Sequence, residues 1–300
     1  MADLRSRFQR LLFGGLKSWI DGGYREKPQQ WSQWMREIPS TSAFEEYFRS
    51  VGIGLFNEMA EEGEYPQDQF DPELSVRFNH LKFGKKIGFP EEFIDDQKYD
   101  VAQRRGRELG FSARQTMEVL FADILNSGFT TNGYDGVPLF SASHPLGKGG
   151  SNRVQSNILA TPANLDVVSY RIMLTMFRRF VDGTGERKIQ LDPMWLIAPP
   201  EEEWNADEIT KSAGRPDTAN RADNVTQGKT KTFVYDYLTD VNNWFISCGP
   251  RDIQIYAFIR SKFSTSTYFD EDTDVNWVKA KMRFTQGYTD YIGIVGANPV

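Results

Sequence analysis

Residues 134–157 read YDGVPLFSASHPLGKGGSNRVQSN, and the rest of the chain is best understood outward from them. Turn formers crowd this stretch: Gly136, Pro138, Pro145, Gly147, Gly149 and Gly150. One apolar step, Val137, Leu139 and Phe140, lies inside it, beside His144, one of only two histidines in the chain. A long loop between two helix-like segments is usually functional or an interaction element. Ser141 and Ser143 next to His144 are the candidate nucleophile constellation. A hydrolase serine sits on a tight strand-to-helix elbow, with its histidine distant in sequence. No such elbow exists here, and the other histidine, His80, is far upstream. Ser141, Ser143 and His144 therefore read as turn-stabilising hydrogen-bonders beside a Leu139–Phe140 anchor.

The flanks give the fold class. Upstream, Val101, Leu109, Met117, Leu120, Phe121, Ile124 and Leu125 mark a helical stripe from Tyr99 to Ser127, about 45 Å long if continuous. Gly106 and Gly110 are points where it could bend or break, and Gly128 is its stop. Pro90, Glu91 and Glu92 fit the first turn of a preceding helix. Downstream, Asn164 or Asp166 opens a helix whose apolar face is Val167, Tyr170, Met173, Leu174, Phe177 and Phe180. Trp195–Ala198 reads as a buried strand, and Pro199, Pro200 and Glu201–Glu203 open another helix. Strand-like runs follow at 233–238, 244–247, 253–258, 276–284 and 291–295. The chain is α+β.

The N-terminal part is charge-patterned. Residues 1–20 read as a basic amphipathic helix on Leu4, Phe8, Leu11, Leu12, Leu16, Trp19 and Ile20, ended by Gly22, Gly23 and Pro28. Residues 21–42 read as an extended connection anchored by Trp31, Trp34 and Met35. From Glu58 to Glu73 lie seven acids and no base; Arg77, Lys82, Lys85 and Lys86 follow with no acid among them. Val76–Phe83 alternates as a strand with one wet face. These features read as a long hairpin with an acidic and a basic limb, pairing with an oppositely charged neighbour through Glu61, Glu62, Glu64, Lys82, Lys85 and Lys86. The bland alternative is a solvated hairpin with weak local pairs, each worth under ~1 kcal/mol.

Composition narrows the function classes. The 300 residues suit one large domain or two smaller ones. A net charge of −6 argues against a freestanding nucleic-acid reader. Aromatics at 14% with a mean hydropathy of −0.52 suit a protein that buries surface against partners. One cysteine, Cys248, permits no internal disulfide and fits a reducing compartment. No apolar run is long enough to span a membrane. Two distant histidines do not make a zinc site. Asp95–Asp96 and Asp270, Glu271, Asp272 and Asp274 read as a helix cap and a solvated turn rather than a cation site. Residues 147–151, GKGGS, lack phosphate-loop spacing. No cofactor, metal or catalytic residue is expected.

The order of these parts resembles the major capsid protein of tailed bacteriophages, the Hong Kong 97-type fold, and especially the major head subunits of Mu-like and siphophage heads. Residues 135–145 (DGVPLFSASHP), Ser151–Asn152, 191–200 (LDPMWLIAPP) and 240–245 (DVNNWF) carry it, together with residues 76–96. The resemblance implies an N-terminal arm at 1–42 and an extended loop at 43–89. It implies a peripheral domain with a spine helix at 90–160 and 259–300, and an axial domain at 161–258. It further implies pentamers and hexamers of an icosahedral shell enclosing double-stranded DNA in the virion, assembled in the bacterial cytoplasm with portal, scaffold and decoration proteins. The 134–157 loop would then join the spine helix to the axial domain near a subunit contact. An encapsulin-like cargo shell is the alternative, and a Ser/His hydrolase the distant one.

Overall fold

A computed structural model describes residues 15–49, 52–59, 61, 63–65, 67, 74–90, 92, 99–146, 153–214 and 223–299. The first helix, α1, covers residues 15–25 of that set. Its sequence neighbours 1–14 lie outside the described residues, as do Glu91 and 93–98, where a short helix was expected. A 3-10 turn at Trp31–Gln33 leads to β1 (Arg36–Pro39), so this connection is not simply extended. Then come β2 (Phe44–Arg49), β3 (Leu74–Asn79), β4 (Leu81–Pro90) and the long α2 (Tyr99–Asn126). The short pair β5 (His144–Pro145) and β6 (Val154–Gln155) precedes α3 (Val167–Arg178), β7 (Trp195–Ala198), α4 (Glu203–Lys211) and β8 (Lys231–Val234). The chain ends through β9 (Trp244–Ser247), β10 (Ile255–Asp270), β11 (Val275–Tyr288) and β12 (Ile294–Ala297).

Two four-stranded sheets organise the molecule, in the orders β1-β10-β11-β4 and β12-β9-β7-β8. In the first, β10 and β11 form one long antiparallel hairpin with β4 on the outer edge. Val278, Ala280, Met282 and Phe284 alternate onto one face of β11 and meet α2 there, at Ala102, Leu109, Met117 and Phe121. α2 runs unbroken through Gly106 and Gly110. Gly110, unlike Gly106, admits α1: a Cβ on Gly110 would lie 2.0 Å from the Ile20 carbonyl oxygen, and one on Gly23 2.1 Å from that of Arg107. α1 continues through Gly22 and Gly23 because this close crossing buries Leu16 and Ile20 completely and outweighs the ~1 kcal/mol helix cost of each glycine.

The second sheet carries the main core. β7, β9 and β12 are buried on nearly every residue, and Tyr170, Met173, Phe177 and Ile209 pack over them from α3 and α4. Of the two expected starts of α3 the cap is Asp166: it accepts from the Ser169 amide at 2.6 Å while Ser169 Oγ accepts from the Asp166 amide at 3.0 Å, a complete capping box. Trp31, Trp34 and Met35 join this core from the N-terminal side. They are held by the buried Glu118 of α2, whose carboxylate accepts the Gln30 and Trp31 amides at 2.9 and 3.2 Å. Burial pushes the Glu118 carboxyl up, against these two hydrogen bonds.

Candidate functional site: the 134–157 loop and the charged surfaces

The loop is an internal joint. His144 is almost fully buried with Nδ1 2.7 Å from Asp135 Oδ2 and Nε2 3.1 Å from both the Leu139 carbonyl and Asn157 Oδ1. Its ring stacks on Tyr291 at 3.7 Å. Asn157, with no exposure, donates to the Leu139 carbonyl at 2.8 Å and accepts the Ser141 amide at 2.8 Å. It also reaches the Ile294 carbonyl of β12 at 3.4 Å. Ser141 Oγ faces Ser143 Oγ at 3.3 Å, and neither hydroxyl is a partner of His144. Both imidazole nitrogens face oxygens of Asp135, Leu139 and Asn157 rather than a serine hydroxyl, so the Ser–His geometry of a hydrolase is not formed. Leu139 and Phe140 are buried in the main core, as expected of an anchor.

A second buried charge locks onto this joint. Arg49, the last residue of β2, pairs with Asp290 at 3.1 Å, and the Tyr134 hydroxyl donates to the other Asp290 oxygen at 3.0 Å. The guanidinium lies over the Tyr134 and Tyr291 rings. Burial alone would lower the Arg49 pKa, but Asp290 and the two tyrosines carry it above its ordinary value. The loop, β2 and the β11–β12 connection thus share one polar cluster. Cys248 is buried, with its thiol pushed up to about 12 by burial, so it is unsuited to nucleophilic work. Among the described residues no group of three or more His, Cys, Asp or Glu could hold a metal ion. Asp270, Glu271, Asp272 and Asp274 cap the exposed β10–β11 tip, and Asp95–Asp96 lie outside the described residues.

The charged residues are arranged differently from the expected hairpin. The two-stranded ribbon is β2 with β3, in register from Phe44↔Asn79 to Arg49↔Leu74. The alternating run breaks at His80, where the chain crosses to the large sheet, so Lys82, Lys85 and Lys86 sit on β4 against β11 rather than on a hairpin limb. Strand pairing depends on distant partners, and β11 supplied a better one. Glu61 and Glu64 are exposed in the β2–β3 connection, and Glu62 lies outside the described residues.

Register decides which lysines act together. Residues directly opposite in an antiparallel pair share a face. Lys82 opposes Arg283 and Lys86 opposes Lys279, on the face away from α2; Lys281 opposes Gly84 on that same face. Lys85 opposes Ala280 on the other face and lines a cavity of about 150 Å3 with Leu109, Ser112 and Phe263. The outward face therefore holds Lys82, Lys86, Lys279, Lys281 and Arg283, none in an ion pair among the described residues. Sequence reading missed the last three, although Lys279, Lys281 and Arg283 alternate at the strand period. Also unanticipated are the apolar side chains of the β2–β3 connection, where Phe56 is 100% exposed and Ile53, Leu55 and Tyr65 are exposed beside it.

Comparison with known proteins follows the same line. The model of the family described as phage capsid protein matches residues 73–297. No curated protein matches the chain. Among solved structures, the capsid of bacteriophage JBD30 aligns with a TM-score of 0.52 at 13% identity, over 90% of this chain and 65% of that one, so this chain spans about two thirds of that length. The mature capsid of bacteriophage PhiM1 aligns with a TM-score of 0.59 at 9% identity, covering 91% and 88% of the two chains. The virus-like particle from Pyrococcus furiosus aligns with a TM-score of 0.53 at 9% identity, over 95% and 99%.

Proposed function

The chain belongs to the phage capsid protein family and has the Hong Kong 97-type fold, and from that premise we propose that it is the major head subunit, copies of which close into the pentamers and hexamers of an icosahedral shell around double-stranded DNA. The family match over residues 73–297 carries this reading. The role is architectural: the Ser–His pair that invited a hydrolase is consumed by internal hydrogen bonds. A cargo shell of the same fold is not favoured, because the family match is to phage capsid proteins.

Within this reading residues 1–42 form the arm and 43–89 the extended-loop region. The peripheral domain takes 90–160 and 259–300 around α2, and the axial domain takes 161–258. The acidic residues Glu61, Glu62 and Glu64 of one copy meet the cationic sheet face of the next at Lys82 and Lys86, while Lys85, expected there too, is on the opposite face of β4. Exposed apolar residues beside the acids supply the contact area that such a loop needs. Assembly takes place in the bacterial cytoplasm, with scaffold, portal and decoration proteins as further partners.

Size-exclusion chromatography with negative-stain microscopy tests the reading. Shells or ring-sized oligomers without esterase activity are expected. A stable monomer whose esterase activity disappears in His144→Ala would overturn it.

A further inference from the structure

We propose that the groove between α3 and the 224–229 turn is an anion-binding site for an oligophosphate, carried by a nucleotide or free in solution. The site goes beyond the shell reading and does not depend on it.

Sequence spacing builds the first wall. Arg171, Leu174, Thr175 and Arg178 stand at i, i+3, i+4 and i+7 on α3, so they share one helix face. The two arginines are two turns apart, about 10 Å along the axis. The second wall is the 224–229 turn, whose shape is fixed by hydrogen bonds to the end of α4. Asn224 Nδ2 donates to the Ile209 and Ser212 carbonyls at 3.0 and 2.9 Å, and Thr226 Oγ1 donates to the Ile209 carbonyl at 3.0 Å. Gly228, at φ +70°, turns the chain into Lys229. The Tyr170 and Thr230 hydroxyls meet at 2.7 Å, which sets their sequence neighbours Arg171 and Lys229 on opposite sides of one groove of about 620 Å3.

The charge of the groove is one-sided. Arg171, Arg178 and Lys229 line it against a single carboxylate, Asp192. None of the three cations forms an ion pair among the described residues. This local excess stands in a chain whose net charge is −6. A concave surface lined by one sign of charge concentrates ions of the other. Arg171 supplies a second, independent observation: its Nε is buried without a hydrogen-bond partner. An unsatisfied buried guanidinium N–H is costly, and an oxyanion gripped side-on through Nε and Nη removes that cost. Three cations converging from two walls call for several negative charges close together, which an oligophosphate carries and a lone carboxylate does not. Leu174, Pro193 and Val225 give the groove an apolar border on which a nucleoside can rest.

Calorimetric titration of tripolyphosphate and of ATP into the full chain tests the site. One equivalent should bind per subunit, more weakly as salt rises. Arg171→Gln with Arg178→Gln should weaken binding about tenfold or more. Arg104→Gln with Arg105→Gln, an equal loss of charge at exposed positions of α2, should leave it unchanged. Asp192→Asn should tighten binding severalfold, a gain that a misfolded variant cannot imitate. ATP held more tightly than tripolyphosphate would make the ligand a nucleotide, and equal affinities would make it a free oligophosphate; either supports the site. No binding, equal losses in the groove and α2 variants, or groove-dependent binding of a DNA duplex tighter than that of either probe would overturn it. A chain that assembles into shells and binds neither probe refutes the groove and leaves the shell reading standing.

Discussion

Lys86 and Lys279 stand directly opposite each other on β4 and β11, and Lys82 faces Arg283 in the same way four residues along. Like charges in direct opposition destabilise an antiparallel pair by roughly 0.2–1 kcal/mol. Lys86 lies over the Trp277 ring and Lys279 over the Tyr268 ring, each at 4.1 Å, which offsets part of that cost. The face is thus costly in a lone subunit and suited to an anionic neighbour. Lys279→Glu should stabilise the isolated subunit by about 0.5 kcal/mol or more while lowering shell yield. Thermal unfolding beside particle counting reads both; a subunit no more stable, or assembly unchanged, would count against the account.

The two faces of β4 give a sharper contrast. Lys82→Glu with Lys86→Glu should impair assembly and leave the subunit folded. Lys85→Glu, on the opposite face, should assemble almost normally. Equal effects from the two variants, judged by electron microscopy at matched concentration, would mean that the sheet face is not what the neighbour reads.

The crossing of α1 over α2 separates two glycines eleven and seven residues into one helix. Gly110→Ala would push a methyl to 2.0 Å from the Ile20 carbonyl and should cost about 1–3 kcal/mol, with residues 15–25 becoming sensitive to protease. Gly106→Ala meets its nearest atom at 3.5 Å and should be neutral or stabilising by up to ~1 kcal/mol. Urea titrations of the two variants check the difference.

Much of this was legible in the sequence, and the misses share a cause. α2, α3 with its Asp166 cap, β7 and β9 follow from local periodicity and capping chemistry, and the order of motifs pointed to the fold. The missing elbow argued against a hydrolase from sequence alone; the partners Asp135, Asn157 and Tyr291 were not foreseen, because Tyr291 comes from the far end of the chain and the loop's turns fold Asp135 and Asn157 back onto His144. Residues 261–269 are rich in serine and threonine without apolar alternation, so the outer half of β10 had no local signal. The hairpin was paired wrongly because register is set by contacts distant in sequence. The basic β11 residues alternate visibly in the sequence, but that they share a face with Lys82 and Lys86 follows only from the register.

Asn157 is the keystone of the loop. Asn157→Ala would leave the half-buried Ser141 amide without its acceptor and the Leu139 carbonyl with His144 alone and should cost about 1–3 kcal/mol. His144 would then lose one of its three polar neighbours. Equilibrium denaturation of the subunit measures the loss.

The root of the β2–β3 ribbon should respond to acid. His80 Nε2 lies 2.9 Å from Ser40 Oγ, with Glu45 close by. Burial holds the His80 pKa below its ordinary value of 6.5; Glu45 opposes the shift, and Arg260 and Arg283 reinforce it. The unfolded chain therefore binds the proton more readily. The stability contribution of His80 is complete above about pH 6.5 and is lost as pH falls below it. Stability measured from pH 7.5 to 5 should fall less steeply in His80→Gln than in the unmodified chain.

Sedimentation velocity of the purified protein tests the central claim most directly. The account predicts that subunits of 34.4 kDa convert to ring-sized and shell-sized particles as concentration rises. A single species of monomer mass at every concentration would contradict it.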